Sequence, residues 1–207
     1  DQAVAHGLQL ASEGADIIDL GGESTRPGAP RVTAAEEKTR VIPVIRELRR
    51  QTEVPISIDT YKAEIAAAAL AAGADIINDI SAMQFDPKMV AVAQKNACPV
   101  VLMHIQGQPG TMQQNPSYED VVREVYWYFN ERIQFALKYG LAREQLILDP
   151  GIGFGKREED NYRLMQQLDV YQQFDCPVLL GPSRKSFLKR AGAAPEERLE
   201  ATAAAVT

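Results

Sequence analysis

An α/β barrel of the (β/α)8 type is the fold this sequence predicts, and three observations lead to it. Short β-branched runs alternate with helical stretches along the whole chain. The runs are apolar on successive residues, as in parallel strands covered on both faces. Polar residues suited to chemistry follow nearly every run: Glu23 and Arg26, Asp59, Asn78, His104, Asp149, then Ser183 and Lys185. An open doubly wound sheet binds its ligand at one switch point, whereas a barrel gathers many strand ends around one mouth.

The expected strands are residues 17–20, 56–58, 76–78, 100–103, 146–148 and 178–180. Those are six, and a barrel has eight. One strand is therefore expected before Asp1 and one after Thr207, so the chain reads as one partial barrel domain over 1–207. Between the strands, Thr33 is placed to cap a helix, with Glu36 completing a capping box. Val41, Ile42, Val44, Ile45 and Leu48 follow near helical spacing. An alanine-rich helix over 64–72 ends at Gly73. Ser117 precedes a longer helix through Val121, Val125, Phe129, Ile133 and Leu137, closed by Gly140. Pro195 and Glu196 open a last one running to Thr207. Gly-Ala-Asp-Ile-Ile occurs twice, at 14–18 and 73–77, each time joining a helix end to a strand start.

Composition narrows the function. Of 207 residues, 45% are hydrophobic and 24% charged, with a net charge of −6. No nucleic-acid or membrane partner is implied, and an anionic ligand must be held by a local cluster of cations. No apolar run approaches the roughly 20 residues of a bilayer span. Cys98 and Cys176 each precede a proline at the start of an apolar run, which predicts two buried thiols and not a disulfide. His6 and His104 form no zinc-like cluster. Together these point to the cytoplasm.

Several motifs fail on inspection. The glycine-rich stretch 151–156 is not a phosphate-binding loop of the Walker type, because Pro150 and Arg157 stand at required positions. The stretch 181–185 is not a nucleophile elbow, since Lys185 replaces the second glycine. What remains are polar residues at strand ends. Asp59, Asn78 and Asp149 lie at or just after buried runs, where an unpaired polar group is expensive. Two acids and an amide facing one cavity can recognise a flat heterocycle: a carboxylate accepts two N–H bonds side by side, and an amide both donates and accepts. Each could instead cap the helix that follows it. Lys185, near a helix start, and Arg26, in a glycine- and proline-bearing loop, are the candidate cations for an anion. Either could also be a solvated surface charge.

Six segments in order resemble the dihydropteroate synthase family. They are 23–28 (Glu-Ser-Thr-Arg-Pro-Gly), 57–62, 78–81, Met103-His104 with 109–113, 149–156 and 181–186. The stretch 200–205 is similar to the family's late helix. The resemblance implies a transferase of folate synthesis that joins 6-hydroxymethyl-7,8-dihydropterin pyrophosphate to p-aminobenzoate, releasing pyrophosphate. It implies pterin binding by Asp59, Asn78, Asp149 and Lys185, with Ile80 and Met103 lining the slot and Gly181 letting the ring approach. Thr25, Arg26 and Pro27 would close over the site. Phe154, Lys185 and Ser186 would form the p-aminobenzoate pocket, where sulfonamides compete. Asp59, Asp149, Lys185 and Arg26 would carry the catalytic charges. Magnesium would accompany the pyrophosphate, its protein ligand lying in a segment before Asp1, and the intact protein would be a homodimer. The family's first and last strands supply the pyrophosphate half of the site, so the chain alone is expected to be inactive. Two other readings share the Asp/Asn/Asp grip: a pterin-binding methyltransferase domain and a noncatalytic pterin-binding subunit. The Arg26 loop and the stretch 183–186 favour the synthase, because they suit pyrophosphate and p-aminobenzoate.

Overall fold

The computed structural model describes residues 2–26, 28–183 and 185. Eleven main elements alternate along them. They are α1 (Gln2–Ser12), β1 (Ile18–Gly21), α2 (Ala34–Arg49), β2 (Ile56–Asp59), α3 (Ala63–Ala72), β3 (Ile76–Asp79), α4 (Met89–Asn96), β4 (Val100–Met103), α5 (Val121–Lys138), β5 (Leu146–Asp149) and α6 (Glu158–Gln166). The five strands are parallel and lie side by side in chain order, β1-β2-β3-β4-β5. Among the described residues the strand order does not reverse, so they hold no switch point. This is the wall of a (β/α)8 barrel, not closed among the described residues.

Period-two alternation divides each strand between two environments. Ile18, Ile56, Ile58, Ile77, Val100, Leu102, Leu146 and Leu148 face outward into the main core, all under 4% exposed, where the helices cover them. The residues between them face inward. Both faces are covered or enclosed, which is why the runs look uniformly apolar in sequence. The register climbs around the inner face in steps: Asp19 beside Ser57 and Ile76, then Asp59 beside Asn78, Val101 and Ile147, then Met103 beside Asp149.

The expected sixth strand, 178–180, is reduced to a single parallel bridge from Val178 to Leu148. Two backbone bonds hold it, Leu148 N to the Pro177 carbonyl at 2.9 Å and Leu179 N to the Leu148 carbonyl at 2.8 Å. Pro177 has no N–H to extend the ladder backwards. The bridge nonetheless continues the same strand order.

The helix signals held in part. The Thr33 hydroxyl accepts from Glu36 N at 3.2 Å. The reciprocal half of the capping box is not formed, because the Glu36 carboxylate pairs with Arg40 one turn on. Gly73 ends α3 at φ 116°. The long helix begins at Val121, later than Ser117 suggested. Gln106 binds both backbone groups of Ser117 (3.0 and 2.9 Å), which keeps it in the loop, and the Asp120 carboxylate caps Arg123 N instead. Helices α4 and α6 have no capping side chain on the cap residues themselves, Lys88 and Arg157; at α6 Asp160 reaches back to accept from Arg157 N at 2.9 Å. The expected helix over 195–207 lies outside the described residues. Cys98 and Cys176 are free and buried, as expected.

Candidate active site

The inward residues of all five strands line one cavity of about 610 Å³. Its floor is apolar, built from Ile17, Ile76, Val101, Ile147 and Val178. Its rim is polar: Asp19, Asp59, Asn78, Asp149 and Lys185. Eight of the residues singled out by sequence meet here: Asp59, Asn78, Ile80, Met103, Asp149, Phe154, Gly181 and Lys185. Ile80 and Met103 are buried in a small cluster with Ile105 and Met112, against which Tyr61, Phe85 and Phe154 pack. They form a flat apolar wall under the polar rim.

Asp59 is strongly perturbed. Burial, then the charges of Asp19, Asp79, Glu37 and Glu23, push its carboxyl up to about 8. Asp149 is also raised by burial, although Gly151 N donates to its Oδ1 at 2.7 Å and Lys185 and Lys156 lie close. Asn78 is oriented by a neighbour: its Nδ2 donates to both carboxylate oxygens of Asp19, at 3.3 and 3.2 Å. That leaves the amide oxygen to accept from a ligand.

Lys185 lies across the cavity. Its Nζ sits 4.5 Å from the Phe154 ring centroid and donates to the Ile152 carbonyl. Burial lowers it to about 8, with Asp149 working the other way. A desolvated ammonium above an aromatic face, beside a carboxylate, is a ready partner for an anion.

The loop carrying Phe154 is fixed from below. Gly151, Gly153 and Gly155 take φ values of +66°, +80° and +62°, a left-handed conformation at every second residue. A Cβ on Gly151 would stand 1.9 Å from the His104 carbonyl oxygen, and one on Gly155 would stand 2.5 Å from that of Gln106. The glycine spacing that resembles a phosphate loop is thus a packing requirement. Lys156 follows and is 3% exposed. Its ammonium donates to His104 Nδ1 (2.9 Å), the His104 carbonyl (3.2 Å) and the Phe154 carbonyl (3.0 Å), using all three protons. The His104 ring therefore carries its own proton on Nε2. Burial and then the Lys156 charge hold His104 well below the usual imidazole range. Burial, aided by Lys185, brings Lys156 down to about 7.

Not every expectation converges. His104 does not line the cavity; it anchors the loop behind it. Thr25 and Arg26 sit in the β1–α2 loop, outside the cavity lining, with Arg26 exposed. Pro27 and Ser186 lie outside the described residues. Asp19 was not anticipated, although the internal repeat held the signal. Asp19 stands five residues after Gly14, as Asn78 stands five after Gly73, and the two equivalent residues hydrogen-bond each other. Ser57, on the inner face beside Asp19, was missed for want of the same alternation argument.

Among the described residues no group of three or more His, Cys, Asp or Glu side chains is placed to hold a metal ion. No described helix is long and apolar enough to cross a membrane.

Comparison with known proteins gives a consistent picture. The family model described as pterin binding enzyme matches residues 1–207. The chain is 48% identical over 186 residues to a dihydropteroate synthase of Synechocystis, covering 90% of this chain and 64% of that protein. It is 45% identical over 203 residues to one from Escherichia coli, covering 98% and 72%. Among solved structures, a Xanthomonas albilineans dihydropteroate synthase with 4-aminobenzoic acid superposes with a TM-score of 0.92 at 46% identity, covering 99% of this chain and 73% of that one. The same enzyme in complex with 7,8-dihydropteroate gives 0.89 at 42%, covering 99% and 72%. The chain thus spans 64% of the Synechocystis relative's length and 72% of the E. coli one's.

Proposed function

The chain belongs to the dihydropteroate synthase family of pterin-binding enzymes, and from that premise we propose the reaction of the intact protein. It condenses 6-hydroxymethyl-7,8-dihydropterin pyrophosphate with p-aminobenzoate, giving 7,8-dihydropteroate and pyrophosphate. The observation that carries the proposal is the convergence of Asp59, Asn78 and Asp149 on one rim, above the wall of Ile80 and Met103 and facing Lys185.

The pterin ring lies on that wall. Its N–H and amino edge donates to Asp59 or Asp149, and the Asn78 oxygen accepts a further N–H. Lys185 donates to the ring's acceptor edge, its own charge relieved by Asp149. Phe154, under Lys185, faces the aromatic amine, so this is also where a sulfonamide would compete. The amine needs no activating base, since an aromatic amine is already a nucleophile. The harder step is departure of pyrophosphate. As C–O cleavage develops positive charge at the pterin methylene, the carboxylates on the rim stabilise the electron-poor ring. The cavity holds the amine and methylene in line. Arg26 and Thr25 reach over the mouth to the leaving group and the amine when the loop closes.

Magnesium is assigned only as the counterion of pyrophosphate, a hard oxygen ligand. The described residues do not provide its ligand set. We take residues 1–207 as a single pterin-binding domain, the intact protein as a homodimer, and the compartment as cytoplasmic on the strength of two unpaired buried thiols.

Calorimetric titration with a pterin analogue tests the assignment. Binding is expected to weaken strongly in Asp59→Asn and Asp149→Asn, and full affinity in both variants would refute it.

A further inference from the structure

Behind the rim lies a second group of buried charges that the reaction does not use. Lys62 belongs to the β2–α3 turn, three residues beyond Asp59. Its side chain is 18% exposed, between Glu23 at 11% and Glu37 at 1%. Lys62 Nζ donates to Glu23 Oε2, to Glu37 Oε2 and, at 2.9 Å, to the Val32 carbonyl. Glu23 accepts in turn from the Tyr61 hydroxyl at 2.8 Å and from Val32 N at 3.3 Å. The second oxygen of Glu37 accepts from the Thr60 hydroxyl at 2.8 Å.

The sequence positions give this cluster its meaning. Glu23 begins the β1–α2 loop and Val32 ends it, just before the helix cap Thr33. Both backbone groups of Val32 are held, one by Glu23 and one by Lys62. Gly22, just before Glu23, is wedged in place: a Cβ there would come within 2.8 Å of Glu37 Cγ and Val41 Cγ1. The loop therefore has a fixed neck, while the backbone of its described crown makes local contacts, Arg26 N to Ser24 Oγ at 3.4 Å and Ala29 N to the Arg26 carbonyl at 3.1 Å, and the Arg31 side chain donates outward to Gln108. A closed neck below a crown of mostly local contacts is the anatomy of an Ω-loop.

We propose that Lys62 is a positioning residue, pinning the neck of the β1–α2 loop so that Thr25 and Arg26 are delivered over the cavity mouth. The proposal rests on the roles given to Thr25 and Arg26 in the reaction above. Lys62 touches neither the rim nor the cavity lining. It acts through Glu23 and Val32.

Trypsin reads the neck directly. It cuts poorly before proline, which spares the bond after Arg26, and it can reach the Arg31–Val32 bond only if the neck opens. In Lys62→Met, two buried carboxylates lose their counter-charge, which can prevent folding. Glu23→Gln keeps the Lys62–Glu37 pair and releases only the loop, so it is the decisive variant. Cleavage at Arg31–Val32 is expected to rise at least about tenfold in Glu23→Gln, with the urea midpoint nearly unchanged. In the full-length protein the same variant should keep its affinity for a pterin analogue. Its turnover should fall, or its KM for p-aminobenzoate rise, by roughly tenfold or more, as expected when a closing group is misplaced. Lys62→Arg should recover most of the lost turnover relative to Lys62→Met. Unchanged cleavage at Arg31–Val32 would overturn the pin. Faster cleavage with unaltered kinetics would overturn its role in delivery, and loss of pterin affinity would show that the cluster supports the rim instead. A wild-type protein that forms no dihydropteroate would defeat the proposed reaction and the delivery role with it, while the cleavage result would still decide the neck.

Discussion

The two sides of the cavity mouth are built on opposite electrostatic terms. On the strand side, Asp59 and Asp149 are carboxylates crowded by burial and by other acids, and both are raised. On the loop side, Lys156 is a buried ammonium and Lys185 a half-buried one, and both are lowered. Each side holds its charge at a desolvation cost that Asp149 and the two lysines offset only in part for one another. A ligand with N–H donors on one edge and a negative group on the other would relieve both. The difference teaches that the site is destabilised in advance on each flank, in the direction its ligand corrects.

One substitution on the strand side should give the largest effect on binding. Asp59→Asn is expected to weaken binding of a pterin analogue by about a hundredfold, the scale of a lost charge-assisted pair of hydrogen bonds. It should also stabilise the protein against urea. The folded carboxyl is raised from its ordinary value to about 8. Between about pH 4 and 8 the folded state therefore binds more protons than the unfolded one, and this group's contribution to stability falls as pH rises. The advantage of the variant should grow across that window and level off above it. Equal stability of the two proteins at pH 8.5 would remove the contrast.

Gly151→Ala should act on stability, and not on binding. A methyl group cannot stand 1.9 Å from the His104 carbonyl, and φ of +66° is unfavourable for alanine. A loss of about 2–4 kcal/mol in unfolding free energy is expected. Fluorescence or thermal melting measures it.

On the loop side the sign reverses. Lys156 titrates at about 7 when folded and near its ordinary 10.5 when unfolded. Between those values the unfolded state binds more protons, so stability rises with pH, by up to about 1.4 kcal/mol per pH unit for one proton. Urea unfolding of wild type and Lys156→Met from pH 7 to 9.5 should show that slope reduced in the variant. A parallel pair of curves would mean that the lysine is not desolvated as described.

The smallest effect is reserved for Asp19→Ala. It frees the Asn78 amide to rotate and should weaken pterin binding by about three- to tenfold, the worth of one oriented hydrogen bond. Because Asp19 is one of the charges raising Asp59, the same change should let Asp59 titrate lower, which NMR of the carboxyl carbon can follow.

The strand side was also the more legible in sequence. Asp59, Asn78 and Asp149 end apolar runs, and the end of a buried run is a position with few bland explanations. Asp19 escaped because it lies inside its run, where only strict alternation or the repeat of residues 14–18 at 73–77 exposes it. The loop side was harder. Lys156 and His104 are 52 residues apart, and Glu23 and Lys62 are 39 apart. Nothing local says that a lysine after three glycines will turn inward to a histidine. Conversely, Arg26 stands out in sequence and yet lies off the cavity, because the position of a loop crown depends on its neck and not on its own residues. Val178 marked a strand correctly in place, but Pro177 leaves the pairing at a single bridge.

The unbroken strand order has a consequence for synthesis. Every strand pairs with the one made just before it, so as the chain emerges from the ribosome each new strand finds its partner already present. After β1, no described strand waits for a partner still to be made, and the growing sheet can extend by one βα unit at a time. The neck of the β1–α2 loop does not follow that schedule. Glu23, Val32 and Glu37 are all translated before Thr60 and Lys62, which hold them. During elongation, that loop remains unfastened until the turn after β2 has left the tunnel.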